Sequence, residues 1–240
     1  MKYALVTGGT KGIGKGIVIS LLDKGYIVIA TYANDTNVAK KFKESVMDKS
    51  ENLYLFRCNQ SKIEEVYQLI NFIKTVTETL DCLICNAGIT VRKPFEDITD
   101  KDWGDVMQVA VTSNFVLVRD LKKIISANSR IVFIGSMMGI LPHATSLVYG
   151  VSKASTHALA LNLVKEFENT GTTVNVIVPG FVETDWQKDK PLHIKQNICN
   201  KTAVGRFAEI AEVVSAVEFC LNNGFVNGSM IEVSGGYNYK

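Results

Sequence analysis

Tyr149 and Lys153 have the spacing of a proton-transfer pair. The segment Tyr-Gly-Val-Ser-Lys puts a phenol and an ammonium group four positions apart, which is one face of a helix if Tyr149 opens one. A free tyrosine has a pKa of about 10, and a nearby cation favours the phenolate, lowering the pKa towards the range of an acid–base catalyst. Ser136 ends an apolar run thirteen residues upstream. Because this spacing also fits an ordinary helical pair, its meaning depends on the other motifs.

A glycine-rich loop near the start of the chain supplies a second motif. Lys2–Thr7 has the composition of a short buried strand and leads into Gly8–Gly14, after which apolar residues recur with helical periodicity. Strand, glycine turn and helix form the context in which backbone amides at a helix N-terminus bind a pyrophosphate. A glycine-rich turn without a ligand is the competing interpretation.

The chain resembles the short-chain dehydrogenase/reductase family along its whole length. The motifs occur in the order typical of that family: Thr7–Gly14, Asn86–Gly88, Ser136 with Tyr149 and Lys153, Pro179–Thr184, and Ser234–Gly236. The resemblance implies an NAD(P)-dependent oxidoreductase that acts on a carbonyl or an alcohol. The general pattern is most similar to the 3-oxoacyl-acyl-carrier-protein reductases.

Strand-like and helix-like segments alternate along the chain, without repeats or linkers. Besides Lys2–Thr7, strands are predicted at 27–31, 53–57, 82–85, 130–135, 174–178 and 230–233, and helices notably at 63–79, 101–126, 149–168 and 210–221. This alternation predicts an α/β fold of the Rossmann type, a doubly wound parallel sheet of about seven strands with helices on both faces. We expect a single domain over residues 1–240, with the motif loops sharing one crevice beyond the carboxyl ends of the strands.

Composition restricts the possible partners and compartment. A net charge of +2 does not favour nucleic acid or a membrane surface as a partner, and no run of eighteen apolar residues exists. Five cysteines without a framework spacing indicate free thiols in a reducing cytoplasm. Cys82 and Cys85 fall on a predicted strand, where positions i and i+3 face opposite ways, so we interpret them as core thiols and predict no metal site.

The resemblance implies a role for each residue of the catalytic trio. Tyr149 would exchange a proton with the substrate oxygen, Lys153 would lower the tyrosine pKa and hold the ribose hydroxyls, and Ser136 would hydrogen-bond the substrate oxygen. The family usually adds an asparagine seven residues after a tryptophan, but counting from Trp103 leads to Ala110. Asn114, one turn later, is a possible substitute; we favour the view that it packs against neighbouring helices.

The cofactor-binding residues implied by the resemblance lie in loops and turns. They are Thr7, Gly8, Thr10, Lys11, Gly12, Ile13, Gly14, Tyr32, Asn59, Asn86, Ala87, Gly88, Tyr149, Lys153, Pro179, Gly180, Val182 and Thr184.

The charges near the second strand favour NADP over NAD. No carboxylate stands at the turn after Tyr32, where an enzyme that prefers NAD carries one, and Asp35 comes late enough to be a solvated loop residue. Lys11 could meet a 2′-phosphate as a point charge, unless it extends into solvent. Asn59 replaces the family's usual adenine-contacting aspartate, and its amide can still donate and accept hydrogen bonds. NAD remains possible.

The substrate pocket is the least defined part of the sequence. Residues 186–202 are expected to form a mobile lid, and the predicted substrate contacts are Ser136, Tyr149, His143 and Trp186, with Leu192 as a further candidate.

The partner expected from the sequence is a free small-molecule ketone. A carrier-bound acyl chain is only the alternative, because the arginines that usually bind an acyl-carrier protein are missing at 126–129 and 169–171. Lys122 and Lys123 lie nearby but fit a solvated helix face equally well. A second hypothesis is an NADP-binding regulator with little turnover, given Ala110. By resemblance we also expect a homotetramer or homodimer built through the helices at 101–126 and 149–168.

Overall fold

Seven parallel strands form the central sheet of the protein. The computed structural model describes residues 1–143, 146–237 and 239. Within these residues the strands are β1 (Lys2–Val6), β2 (Tyr26–Tyr32), β3 (Leu53–Arg57), β4 (Leu80–Cys85), β5 (Ile125–Ile134), β6 (Thr173–Pro179) and β7 (Met230–Val233). Their order in the sheet is β3-β2-β1-β4-β5-β6-β7, and every neighbouring pair is parallel. The strand order reverses between β1 and β4, which is where ligands bind in folds of this kind.

Helices cover both faces of this sheet. They are α1 (Gly12–Asp23), α2 (Thr36–Ser45), α3 (Ile63–Val76), α4 (Asp100–Met107), α5 (Ser113–Leu121), α6 (Leu147–Leu163), α7 (Leu192–Lys201) and α8 (Ile210–Asn222). One core contains the buried side chains of α3, α5 and α6, and the other contains those of α1 and α8. Since successive strand residues point into alternate cores, this arrangement confirms the predicted Rossmann-type fold.

Cys82 and Cys85 illustrate that alternation. Both are buried on β4, with Cys82 in the α1/α8 core and Cys85 in the α3/α5/α6 core. Burial raises the pKa of both thiols. The interpretation of this pair as core thiols is confirmed.

Several element boundaries differ from those predicted. The helix expected at 101–126 ends at Leu121, and a π-helical turn, Gln108–Thr112, lies between α4 and α5. The next strand begins at Ile125, because Ile125 pairs with Leu80 of β4, a long-range contact that local periodicity does not reveal. Helix α6 begins at Leu147, so Tyr149 lies inside its first turn.

No helix within the described residues is both long enough and apolar enough to cross a membrane.

Candidate active site

A cavity of about 520 Å³ opens beyond the carboxyl ends of the strands. Of the residues predicted above to bind the cofactor, all but Thr7 line it, and Ser136 and Trp186 line it too. Loops from β1, β4, β5 and β6 therefore share one crevice, as the predicted alternation of strands and helices requires.

The glycine loop brings the backbone close to the cavity. Gly8 has φ +63° and Gly12 has φ +50°, a left-handed conformation that side chains rarely adopt. A Cβ added to Gly14 would lie 2.2 Å from the carbonyl oxygen of Gly8. Helix α1 begins at Gly12, and the Lys11 side chain does not cap it, so the first amides of the helix are available to an anion.

Thr7 and Asn86 join the glycine loop to the turn after β4. Thr7 is fully buried, and its Oγ1 accepts hydrogen bonds from the amides of Asn86 at 2.9 Å and Ala87 at 3.0 Å. In return, Asn86 Nδ2 donates to the carbonyl oxygens of Thr7 at 2.9 Å and Gly8 at 3.1 Å. The Thr7 side chain therefore holds two cavity loops together and does not itself face the cavity.

The cavity end formed by β2 and β3 carries both charge and amide groups. Lys11 and Asp35 form an ion pair there, so Asp35 is not simply solvated and Lys11 does not simply extend into water. Asn59 turns its Oδ1 towards the backbone amide and hydroxyl of Ser61, at 3.1 and 2.9 Å. Its oxygen is thus already engaged, and its amide nitrogen is the group left for an adenine.

Ser136 and Tyr149 meet at the other end of the cavity. Ser136 follows β5 directly, and its Oγ accepts a hydrogen bond from the amide of Met138 at 3.2 Å. Burial raises the pKa of Tyr149 to about 12, although a hydrogen bond with Ser136 and the charge of Arg92 act to lower it. The phenol is therefore protonated at neutral pH and is set up as a proton donor.

Lys153 lies beneath the tyrosine but does not lower its pKa as expected. Its Nζ is 5.7 Å from the centre of the Tyr149 ring and donates a 2.6 Å hydrogen bond to the carbonyl oxygen of Ile134. The lysine is buried, and burial lowers its pKa to about 8. Burial of the phenol is the largest influence on the pKa of Tyr149, and the groups that act to lower it are Ser136 and Arg92.

Ala110 occupies the middle of the π-helical turn. Its carbonyl oxygen accepts hydrogen bonds from Asn114 Nδ2 at 2.8 Å and Thr156 Oγ1 at 3.1 Å. Asn114 is buried and does not line the cavity, and its Oδ1 has no hydrogen-bond partner among the described residues. Its amide therefore ties α5 to the turn, in line with the packing role that we favoured.

The predicted substrate residues are only partly brought together. The Trp186 ring lines the cavity and lies edge-on to the Tyr149 ring, with centroids 6.0 Å apart. His143 is exposed and lies outside the cavity lining, 5.9 Å from the Phe181 ring. Leu192 is 84% exposed at the start of α7. The expected lid, residues 186–202, begins within the short 3₁₀ turn Asp185–Gln187 and contains α7.

Two residues that shape the site are not predicted from the sequence. Thr31 accepts from the Gly8 amide through its Oγ1 at 3.1 Å and from the Gly9 amide through its carbonyl at 2.9 Å, so it anchors the glycine loop. His157 contacts the backbone of Ser136. Neither residue falls in a motif, and the only signal was a polar side chain at an otherwise apolar position.

Comparison with known proteins agrees with this geometry. The short chain dehydrogenase family model matches residues 2–195. The chain belongs to the short-chain dehydrogenase family. It is an oxidoreductase of that family, as the resemblance implied. The 3-oxoacyl-acyl-carrier-protein reductase FabG of Haemophilus influenzae is 32% identical, with 98% of this chain and 97% of the relative covered.

Solved structures of short-chain dehydrogenases superpose closely on the fold. A short-chain dehydrogenase from Burkholderia cenocepacia in complex with NADP gives a TM-score of 0.92 at 25% identity, over 98% of this chain and 97% of that one. The RhlG/NADP active-site complex from Pseudomonas aeruginosa gives 0.89 at 25% identity, over 99% and 96%.

The cavity fits the dinucleotide cofactor that the family implies. A Cβ at Gly14 would meet the Gly8 carbonyl oxygen, so a glycine there lets the start of α1 pack closely against the loop, and the amides of α1 supply donors for a pyrophosphate. Lys11 stands at one end of the cavity and the Ser136–Tyr149–Lys153 trio at the other.

Proposed function

We propose that the protein is an NADP-dependent reductase that converts a ketone to an alcohol. One observation carries this proposal: Ser136, Tyr149 and Lys153 line the same cavity as the glycine loop. We propose that the chain acts as one cofactor-binding domain, with residues 186–202 as the substrate lid.

Each member of the trio has a distinct role in the proposed reaction. The nicotinamide, when bound, supplies the hydride. Tyr149 donates its hydroxyl proton to the carbonyl oxygen. The phenol carries that proton at neutral pH, because burial raises its pKa to about 12. Ser136 Oγ accepts from Met138, and its hydroxyl, which hydrogen-bonds Tyr149, would donate to the same substrate oxygen. Lys153 is the donor available to the ribose hydroxyls.

The charges at the β2/β3 end support NADP as the cofactor. Lys11 provides a cation where a 2′-phosphate would lie, and structural relatives were solved with NADP. Asp35 opposes this preference, since its carboxylate pairs with the same lysine. The degree of preference is therefore set by the balance between these two side chains.

A free small-molecule ketone remains the favoured substrate. Arg130, near the site where a carrier-binding arginine is usual, turns inward and donates to the carbonyl oxygens of Asn128 at 2.7 Å and Leu221 at 3.3 Å. Lys122 is paired with Glu166 at 2.7 Å. Both cations already have partners within the protein, which favours a free ketone, and a carrier-bound 3-oxoacyl chain is the second candidate.

Apolar side chains on the helices at the rear of the site support an oligomer. Trp103 on α4, Phe115 on α5, and Leu147 and Val151 on α6 are all exposed. Exposed large apolar side chains on these helices favour an interface there. We infer a homodimer or homotetramer through these helices; a monomer in light scattering would contradict it.

The reductase proposal is tested by following NADPH absorbance with a panel of ketones, β-keto esters and a 3-oxoacyl thioester. Tyr149→Phe is the matched control, because it keeps the ring against Trp186 and removes only the hydroxyl. We expect NADPH consumption by the native protein and at least a ~100-fold lower rate for the variant. Consumption that survives the substitution would refute the assigned role of Tyr149.

The regulator hypothesis makes the opposite forecast. Its structural support is that the carbonyl oxygen of Ala110 already accepts hydrogen bonds from two side chains, those of Asn114 and Thr156. It predicts tight NADPH binding without consumption of any ketone in the panel.

A further inference from the structure

His157 is a buried histidine fitted between two glycines that flank Ser136. It lies on α6 one turn after Lys153 and is 5% exposed. A Cβ added to Gly135 would be 2.3 Å from its Nε2, and a Cβ added to Gly139 would be 2.8 Å from its Cε1. The imidazole therefore fills space that a side chain at either neighbouring position would take.

The imidazole makes a directed contact with the serine backbone. The amide of Ser136 donates a hydrogen bond to His157 Nε2 at 3.2 Å. An accepting Nε2 carries no proton, so the neutral ring has its proton on Nδ1. Burial, and then the charge of Lys153, lower the pKa of His157 to about 4, which keeps the ring neutral and able to accept at physiological pH.

That contact completes the set of bonds that orient Ser136. Its amide is held by His157, its Oγ accepts from the amide of Met138 at 3.2 Å, and its hydroxyl reaches Tyr149. Without an acceptor at Nε2, the buried amide would lose its partner, and the turn that begins at Met137 would be free to reorient. A displacement of about 1 Å in a group that contacts the reacting oxygen can change a rate by about 100-fold.

We propose that His157 is a positioning residue for Ser136, which uses its unprotonated Nε2 to fix the serine amide and thereby the direction of the serine hydroxyl. This inference rests on the proposed reductase function, in which Ser136 binds the substrate oxygen. His157 does not line the cavity, so its contribution is to the chemical step and not to cofactor affinity.

Two substitutions of His157 separate hydrogen bonding from space filling. His157→Gln places a carboxamide oxygen near the position of Nε2, and His157→Leu fills the space without an acceptor. Val217→Ala, in the buried face of α8, is the control for a general loss of core packing. For each variant, kcat and KM for a ketone and the Kd for NADPH are measured, with folding checked by thermal unfolding.

We expect the leucine variant to lose about tenfold or more in kcat while the NADPH Kd stays within about twofold of the native value. The glutamine variant should recover most of that loss, and Val217→Ala should keep native kcat. Equal kcat for the glutamine and leucine variants, or a native kcat for His157→Leu, would overturn the proposal.

A measurement on the native protein tests the His157 contact even if the variants fail to fold. Nitrogen-15 NMR of labelled histidine reports which ring nitrogen carries the proton, and the chain has only three histidines to assign. The proposal requires the Nδ1–H form for His157; the Nε2–H form would overturn it. If the native protein reduces no ketone, the reductase function fails, and this tautomer measurement still decides the His157 contact separately.

Discussion

Substitutions of Lys11 and Asp35 test whether charge decides the preference of the cofactor site for NADPH over NADH. Lys11→Met removes the cation expected to meet the 2′-phosphate, and Asp35→Asn removes the carboxylate that pairs with that cation. We expect the first change to weaken NADPH binding and leave NADH binding nearly constant. The second should strengthen NADPH binding and weaken NADH binding, since a carboxylate in this region accepts from a ribose 2′-hydroxyl.

The size of the effect follows from the exposure of the pair. Two unit charges about 4 Å apart interact by about 1 kcal/mol in bulk water and about 4 kcal/mol at an effective dielectric constant of 20. The side chains of Lys11 and Asp35 are 43% and 55% exposed, so the lower value applies. About 1 kcal/mol corresponds to a change of about fivefold in Kd for each substitution.

The assay is a fluorescence titration of each variant with NADPH and with NADH at low and high salt. Lys15→Met is the matched control, since Lys15 lies in the first turn of α1, one turn after Lys11, but over the Phe42 ring and outside the cavity lining. The effect of Lys11→Met should shrink at high salt, where exposed charges are screened. A Lys11→Met variant that changes both Kd values equally, or neither, would refute the charge argument.

Three further predictions follow from buried groups near the sheet. Gly14→Ala should weaken NADPH binding by more than about tenfold in the same titration, because its methyl group would meet the Gly8 carbonyl oxygen at 2.2 Å; unchanged binding would contradict the close-approach argument. Native protein should show one rapidly reacting thiol with a chromogenic disulfide, lost in Cys199→Ser, since the other four cysteines are buried; several fast thiols would contradict the described core. His157 should make stability rise with pH between about 4 and 6.5, because the unfolded chain binds a proton in that window that the folded chain does not. Urea unfolding should therefore give a free energy about 2 kcal/mol smaller at about pH 5 than at about pH 7.5, and His157→Gln should reduce this difference.

The fold and most of the cavity lining were predictable because their signals are local. Glycine spacing, buried β-branched runs and helical periodicity can each be recognised within a short segment. Because the predicted strands are parallel, the loops that follow them lie at the same edge of the sheet. The resemblance, carried by five motifs in order, led to the family that the comparisons confirm.

The remaining features depend on contacts that no short segment encodes. The start of β5 at Ile125 is set by its pairing with Leu80, and the π-helical turn at Ala110 by packing against Thr156 of α6. The spacing of Tyr149 and Lys153 correctly placed the lysine beneath the ring. It could not show that both groups are buried, which moves the two pKa values in directions set by desolvation and not by their mutual attraction.

The reciprocal bonds of Thr7 and Asn86 link the cofactor cleft to the order of folding. These residues are 79 positions apart in the chain, and the bonds between them require that β1 and β4 already lie side by side. A contact so distant in sequence forms late, because closing the intervening loop costs conformational entropy before the contact is made. The first β–α–β unit contains the whole glycine loop, but when it forms it still lacks the turn after β4 that completes the cleft. Cofactor binding becomes a late event in folding, and NADPH fluorescence during refolding would report the moment at which the two halves of the sheet are joined.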